Sequence, residues 1–82
     1  MMDWIETRKK SGMSQFLCAR SSRISRMRMS LAETGQIILT DAEESAVRRA
    51  LGDYISGKAR EIEVLLREQE RTIAGRFAEG GR

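Results

Sequence analysis

Seven of the fifteen basic residues of this 82-residue chain lie within its first thirty positions: Arg8, Lys9, Lys10, Arg20, Arg23, Arg26 and Arg28. Only Asp3 and Glu6 oppose them there, a net of +5, which leaves −2 for the remainder of a chain whose total is +3. Such arginines meet phosphates chiefly as charges, and a basic arm on a near-neutral body suits an anionic partner, most often nucleic acid. A solvated tail has the same composition, so charge leaves both readings open. Trp4 and Phe16, in the same segment, offer rings that stack on bases or fill a partner's groove.

Other chemistry is scarce. The chain has no histidine, hence no imidazole base for a Ser or Cys nucleophile and no ordinary zinc site. Its one cysteine, Cys18, sits among Phe16, Leu17 and Ala19 beside Arg20. It is read as an incidental thiol, unable to form an internal disulfide. The carboxylates of Glu61, Glu63, Glu68 and Glu70 alternate with Arg60, Arg67 and Arg71 at three- and four-residue spacing, as in Glu63–Arg67 and Arg67–Glu70. Pairs of this kind keep an exposed helix soluble and do not make an acid/base couple. No enzyme, cofactor or metal is expected. A reducing, cytoplasmic setting fits the lone thiol; no apolar run reaches the length of a membrane span, and the opening residues lack a signal core.

The elements expected are mainly α. Residues 1–32 are interrupted by Ser11, Gly12, Ser14, Ser21, Ser22, Ser25 and Ser30, so they are expected to form a poorly ordered basic arm. Met13, Phe16, Leu17, Ile24 and Met27 nevertheless recur at roughly helical spacing, enough for a helix that forms on a partner. Residues 33–78 carry the pattern and 79–82 form a tail. Gly35–Thr40, with Ile37, Ile38 and Leu39, is the one strand candidate, Ile37 and Leu39 on one face and Gln36, Ile38 and Thr40 on the other. Thr40 or Asp41 caps the following helix, with Glu43 or Glu44 completing the box. Val47, Ala50, Leu51 and Tyr54 mark its apolar stripe. Gly52 and Gly57 bracket a turn, Ser56 offers a second cap, and Ala59, Ile62, Leu65, Leu66, Ile73 and Phe77 line a second helix. One uninterrupted helix from Asp41 to Ala78 is the competing description, at a cost of roughly 1 kcal/mol per glycine. A lone strand needs a partner and the core is small, so a homodimer is expected.

This order resembles the ribbon-helix-helix fold, and within it the ParD-type antitoxins. Ile38-Leu39-Thr40, Glu44-Ser45-Ala46-Val47-Arg48-Arg49, the Gly52 to Gly57 turn and Ala59-Arg60-Glu61-Ile62 stand where that family has its strand end, Arg-Arg helix, turn and second-helix opening. The likeness covers about half the chain. It implies paired strands entering a major groove, with Gln36, Ile38 and Thr40 on the groove face. It also implies Ser56 and Lys58 anchoring a phosphate at a helix start. Beside them Arg20, Arg23, Arg26 and Arg28 would hold the DNA backbone. Since the family begins with its strand, translation from Met27 or Met29 would restore that order, and the arm would be dispensable for folding.

Two functions follow. The first is a small dimeric DNA-binding regulator, the antitoxin of a toxin–antitoxin pair by resemblance, whose protein partner is a cognate toxin. The second is a helical interaction module, such as a phage-type inhibitor or secretion adaptor, which binds a protein through Leu65, Leu66, Ile73 and Phe77.

Overall fold

The computed structural model describes the backbone of residues 3–80 and the side chains of residues 3–71. Four helices follow one another: α1 Trp4–Ser11, α2 Gln15–Ser22, α3 Arg26–Glu33 and α4 Asp41–Gly80. The mainly helical class holds, but the strand does not, nor does the ribbon built on it. Residues 35–40 run irregularly between α3 and α4. The backbone N–H groups of Gln36 and Ile37 turn back to the carbonyl of Leu31, at 2.9 and 3.4 Å, instead of joining a ladder. Gly35, at φ +78°, makes that reversal possible. Ile37 is half-buried and Leu39 buried, while Ile38 is 93% exposed. The alternation is real, yet it docks a connector instead of pairing a strand.

The basic segment is ordered, contrary to expectation, and its serines explain why. Asp3, Ser14 and Ser25 each accept a hydrogen bond from the backbone N–H three residues on, at Glu6, Leu17 and Arg28 (2.8, 3.0 and 3.1 Å). They are N-caps, not breakers. Each of the three helices has eight residues, too few to persist alone, so their stability comes from packing. Trp4, Met13, Cys18, Ala19, Ile24, Met29 and Ala32 bury themselves against Leu39, Val47, Ala50 and Leu51. α1 and α2 pack on α4, and α2 on α3. The core therefore draws on both sides of the boundary expected at residue 32. Arg8 ties the two ends of this bundle together. Its guanidinium donates to both carboxylate oxygens of Glu33, at 2.6 and 2.7 Å, and to the carbonyl of Met13 at 2.8 Å.

α4 opens with the expected reciprocal cap: Glu43 N–H donates to Thr40 Oγ1 at 3.1 Å and Thr40 N–H to Glu43 Oε1 at 2.9 Å. It then runs unbroken through Gly52 and Gly57, so the helix pair expected over residues 41–78 is one helix. A Cβ at either glycine would meet nothing within 4 Å; neither residue is demanded by a close contact, and the propensity cost of about 1 kcal/mol each is borne by the helix. Of its described side chains, only those in the first third touch the core. From Ile55 to Arg71 every described residue is exposed, and the helix projects along a molecule 65 Å in its longest dimension. Among the described residues no helix is long and apolar enough to cross a membrane.

Candidate nucleic-acid interface

α2 and α3 are joined by Arg23, Ile24 and Ser25, and each of the three has a distinct task. Ile24 is buried in the core, Ser25 caps α3, and Arg23 ends α2 at φ 59°, its N–H donating to the carbonyls of Ala19 and Arg20. Among the described residues Arg23 alone combines a side chain with positive φ. Glycine takes this conformation freely, whereas a side chain there costs about 1–2 kcal/mol. An exposed arginine thus stands where glycine would be less strained.

Helix periodicity fixes what α3 presents. Met29 and Ala32 are buried, and Glu33 faces Arg8. At 3.6 residues per turn the opposite face is Met27, Ser30 and Leu31, with Arg26 on one flank and Arg28 on the other. Met27 is 73% exposed. The Arg26 guanidinium lies 5.9 Å from the centre of the Phe16 ring, which is itself exposed on the first turn of α2. Arg28 forks onto Glu43, at 2.8 and 2.7 Å, joining α3 to the start of α4.

The helix ends are charged unequally. α1 carries Glu6 in its first turn, and α4 carries Asp41, Glu43 and Glu44, all complementing the positive end of the helix dipole. The first turns of α2 and α3 hold no acidic residue, and α3 begins with Arg26 and continues with Arg28. α2 is neutral at its start and carries Arg20 in its last turn, so α3 alone, with Arg26 and Arg28 at its positive end, departs from the dipole rule. Departures from local rules of this kind gather at sites of function.

Glu43 is held well below the ordinary carboxylate value of 4.5, at about 2, first by the Arg28 fork and then by the Thr40 N–H. A group whose folded pKa is depressed adds stability that is present above its unfolded value and lost as pH falls through the folded one. Comparison of the native chain with Glu43→Gln by thermal unfolding should therefore show a constant gap above about pH 5, closing as pH falls towards 2. A gap independent of pH would show that the fork adds nothing to the folded state.

Of the residues expected to meet DNA, Arg20, Arg23, Arg26 and Arg28 all belong to the α2–turn–α3 unit and sit on ordered backbone. Gln36, Ile38 and Thr40 lie in the connector after α3. The Gln36 amide donates to Thr34 Oγ1 at 3.1 Å, and Thr40 is spent on the α4 cap. Ser56 and Lys58 stand inside α4, where no helix begins, so the free N–H groups assigned to them are absent. Lys58 lies 3.4 Å from Glu61 and 5.7 Å from the Tyr54 ring centre. Leu65 and Leu66 are exposed; the side chains of Ile73 and Phe77 lie outside the described residues. Cys18 is fully buried, and burial pushes its thiol up. The helical spacing picks out Met27 but gives it no groove contact, and Ser30 and the capping roles of Ser14 and Ser25 are not read from the sequence. The two capping serines, eleven residues apart, were the signal that could have found them. No protein-family model matches this chain, and neither does any curated protein or solved structure.

Proposed function

We propose that the chain is a DNA-binding regulator of the helix-turn-helix kind, with α3 entering the major groove and α2 lying across the backbone. What supports it best is α3 itself: a capped helix after a three-residue turn, its inner face locked in the core, Met27 exposed on its outer face beside half-buried Ser30 and Leu31, and arginines at its positive end. In this architecture the first residues of the second helix contact base edges, while the first helix meets phosphates. Met27 offers an apolar contact to a thymine methyl and Ser30 a hydroxyl to either base of a pair. Arg26 can fork onto guanine, and Arg20 and Arg23 reach phosphates as charges.

This keeps the DNA-binding expectation and moves it off the strand. The antitoxin expectation rested on the ribbon and goes no further. A regulator also needs no catalytic constellation, which suits a chain without histidine. Arg26→Ala should cost about 1–3 kcal/mol on a preferred duplex and relax preference at one base pair. Arg20→Ala should weaken all sequences alike and reduce the slope of log affinity against log salt by about one. Anisotropy titrations over a range of salt concentrations separate the two. Equal, sequence-independent losses from both would remove α3 from the groove.

A further inference from the structure

The half of α4 that leaves the core has a pattern of its own. Ile55, Ile62 and Gln69 recur every seven residues, and Ala59 and Leu66 recur every seven between them. Together they form one stripe along the helix. Ile55, Ile62 and Leu66 are 41%, 56% and 58% exposed and stand outside the core cluster of the described residues. Among the described residues this stretch carries exposed pairs along the helix, such as Glu63–Arg67 at 2.7 Å and Lys58–Glu61 at 3.4 Å. Such pairs contribute a few tenths of a kcal/mol each, which is little for a helix without tertiary contacts.

We infer that this stripe is the seam of a parallel two-stranded coiled coil, and that its occupant is the same segment of a second copy of the chain. Charge fixes both partner and direction. With Ala59 and Leu66 at a positions and Ile55, Ile62 and Gln69 at d, Lys58 falls at g and Glu63 at e. In a parallel pair each g residue faces the e residue five positions on in the other helix. Lys58 of one copy then meets Glu63 of the other, twice by symmetry. An antiparallel pair would set e against e, where the occupants are Ser56, Glu63 and Glu70, and carboxylates would face one another. The segment is thus complementary to itself in one orientation. The same seam absorbs Leu66 from the surface expected to bind a foreign protein, and Leu65 flanks it at g.

The parallel arrangement has a consequence that rests on the DNA-binding reading. Both α2–turn–α3 units emerge at one end of the coil, related by a two-fold axis, as dimeric readers of paired half-sites require.

Three measurements on the full chain test the seam. Sedimentation should show a concentration-dependent dimer, and Ile62→Asp or Leu66→Asp should make it monomeric while Trp4 fluorescence stays that of a buried ring. Gln69→Cys, with buried Cys18 left in place, should oxidise to a covalent dimer, since equal d positions adjoin only in a parallel, in-register pair. A chain that is monomeric at every concentration overturns the inference and leaves the stripe to another protein. So does a dimer unmoved by both aspartates, while a dimer that Gln69→Cys fails to cross-link overturns the parallel direction. Binding of the Leu66→Asp monomer to a single half-site keeps the two readings separable. Its retention with loss of preference for paired half-sites supports the seam, and unchanged preference for paired sites overturns it.

Discussion

Glu33→Ala is expected to destabilise the bundle by about 3–5 kcal/mol, the usual loss when one partner of a buried ion pair is removed. The pair merits that figure because its side chains are only 12% and 8% exposed. Removing the carboxylate strands a guanidinium between α1 and the end of α3 with only the Met13 carbonyl left. Arginine cannot shed its charge to escape, and Glu33 raises its pKa further from neutrality. The joint replacement Arg8→Met with Glu33→Leu should recover most of the loss, since apolar side chains of similar volume often substitute for such pairs. Urea unfolding of the single and double variants measures both. A single-variant loss under about 1 kcal/mol would place the pair among solvent-screened surface bridges.

Deletion of residues 1–28 should abolish cooperative unfolding altogether, reversing the expectation that the basic segment is dispensable. A chain beginning at Met29 lacks Trp4, Met13, Cys18, Ala19 and Ile24, five of the eleven buried core residues among those described. Burial of one large apolar side chain is worth about 1.5–3 kcal/mol, and small domains hold only roughly 5–15 kcal/mol in total. The cut also removes Arg8 and enters α3, leaving Val47 and Leu51 facing water. Calorimetry of the shortened chain is decisive; a sharp transition near that of the full chain would mean that α3 and α4 fold without α1 and α2.

How legible the fold was depended on length. The start of α4 was readable, because Thr40 and Glu43 form a local reciprocal cap and Val47, Ala50, Leu51 and Tyr54 repeat over more than two turns. The alternative of a single long helix was also present in the sequence, and the glycines argued against it by more than their cost of about 1 kcal/mol each warranted. α1, α2 and α3 were hidden because eight residues give barely two turns, too short for a 3.6-residue period to stand out. Met13, Ile24 and Met29 belong to a loop, a turn and a helix, so one periodic template could not join them. Ser14 and Ser25 are equally at home in loops and at N-caps, and only the helices behind them decide between the two. The strand error came from Ile37-Ile38-Leu39, whose branched side chains fit extended backbone. In the fold they form an irregular connector, bent at Ile37, because a sheet requires a second strand and Gly35 turns the chain back on α3. The arginines of the candidate interface were legible by charge; that they share the α2–turn–α3 unit was not.

If α3 acts as proposed, its outer face reads DNA. Selection of duplexes from a random pool, carried out in parallel with the native chain and with Met27→Glu, tests it most directly. Met27 is 73% exposed and supports nothing in the core, so this substitution leaves the fold intact while placing a carboxylate where the groove would lie. The native chain should enrich a defined sequence, with binding that weakens steeply as salt rises, and Met27→Glu should enrich none. No enrichment by the native chain, or the same sequence recovered with both, would contradict it.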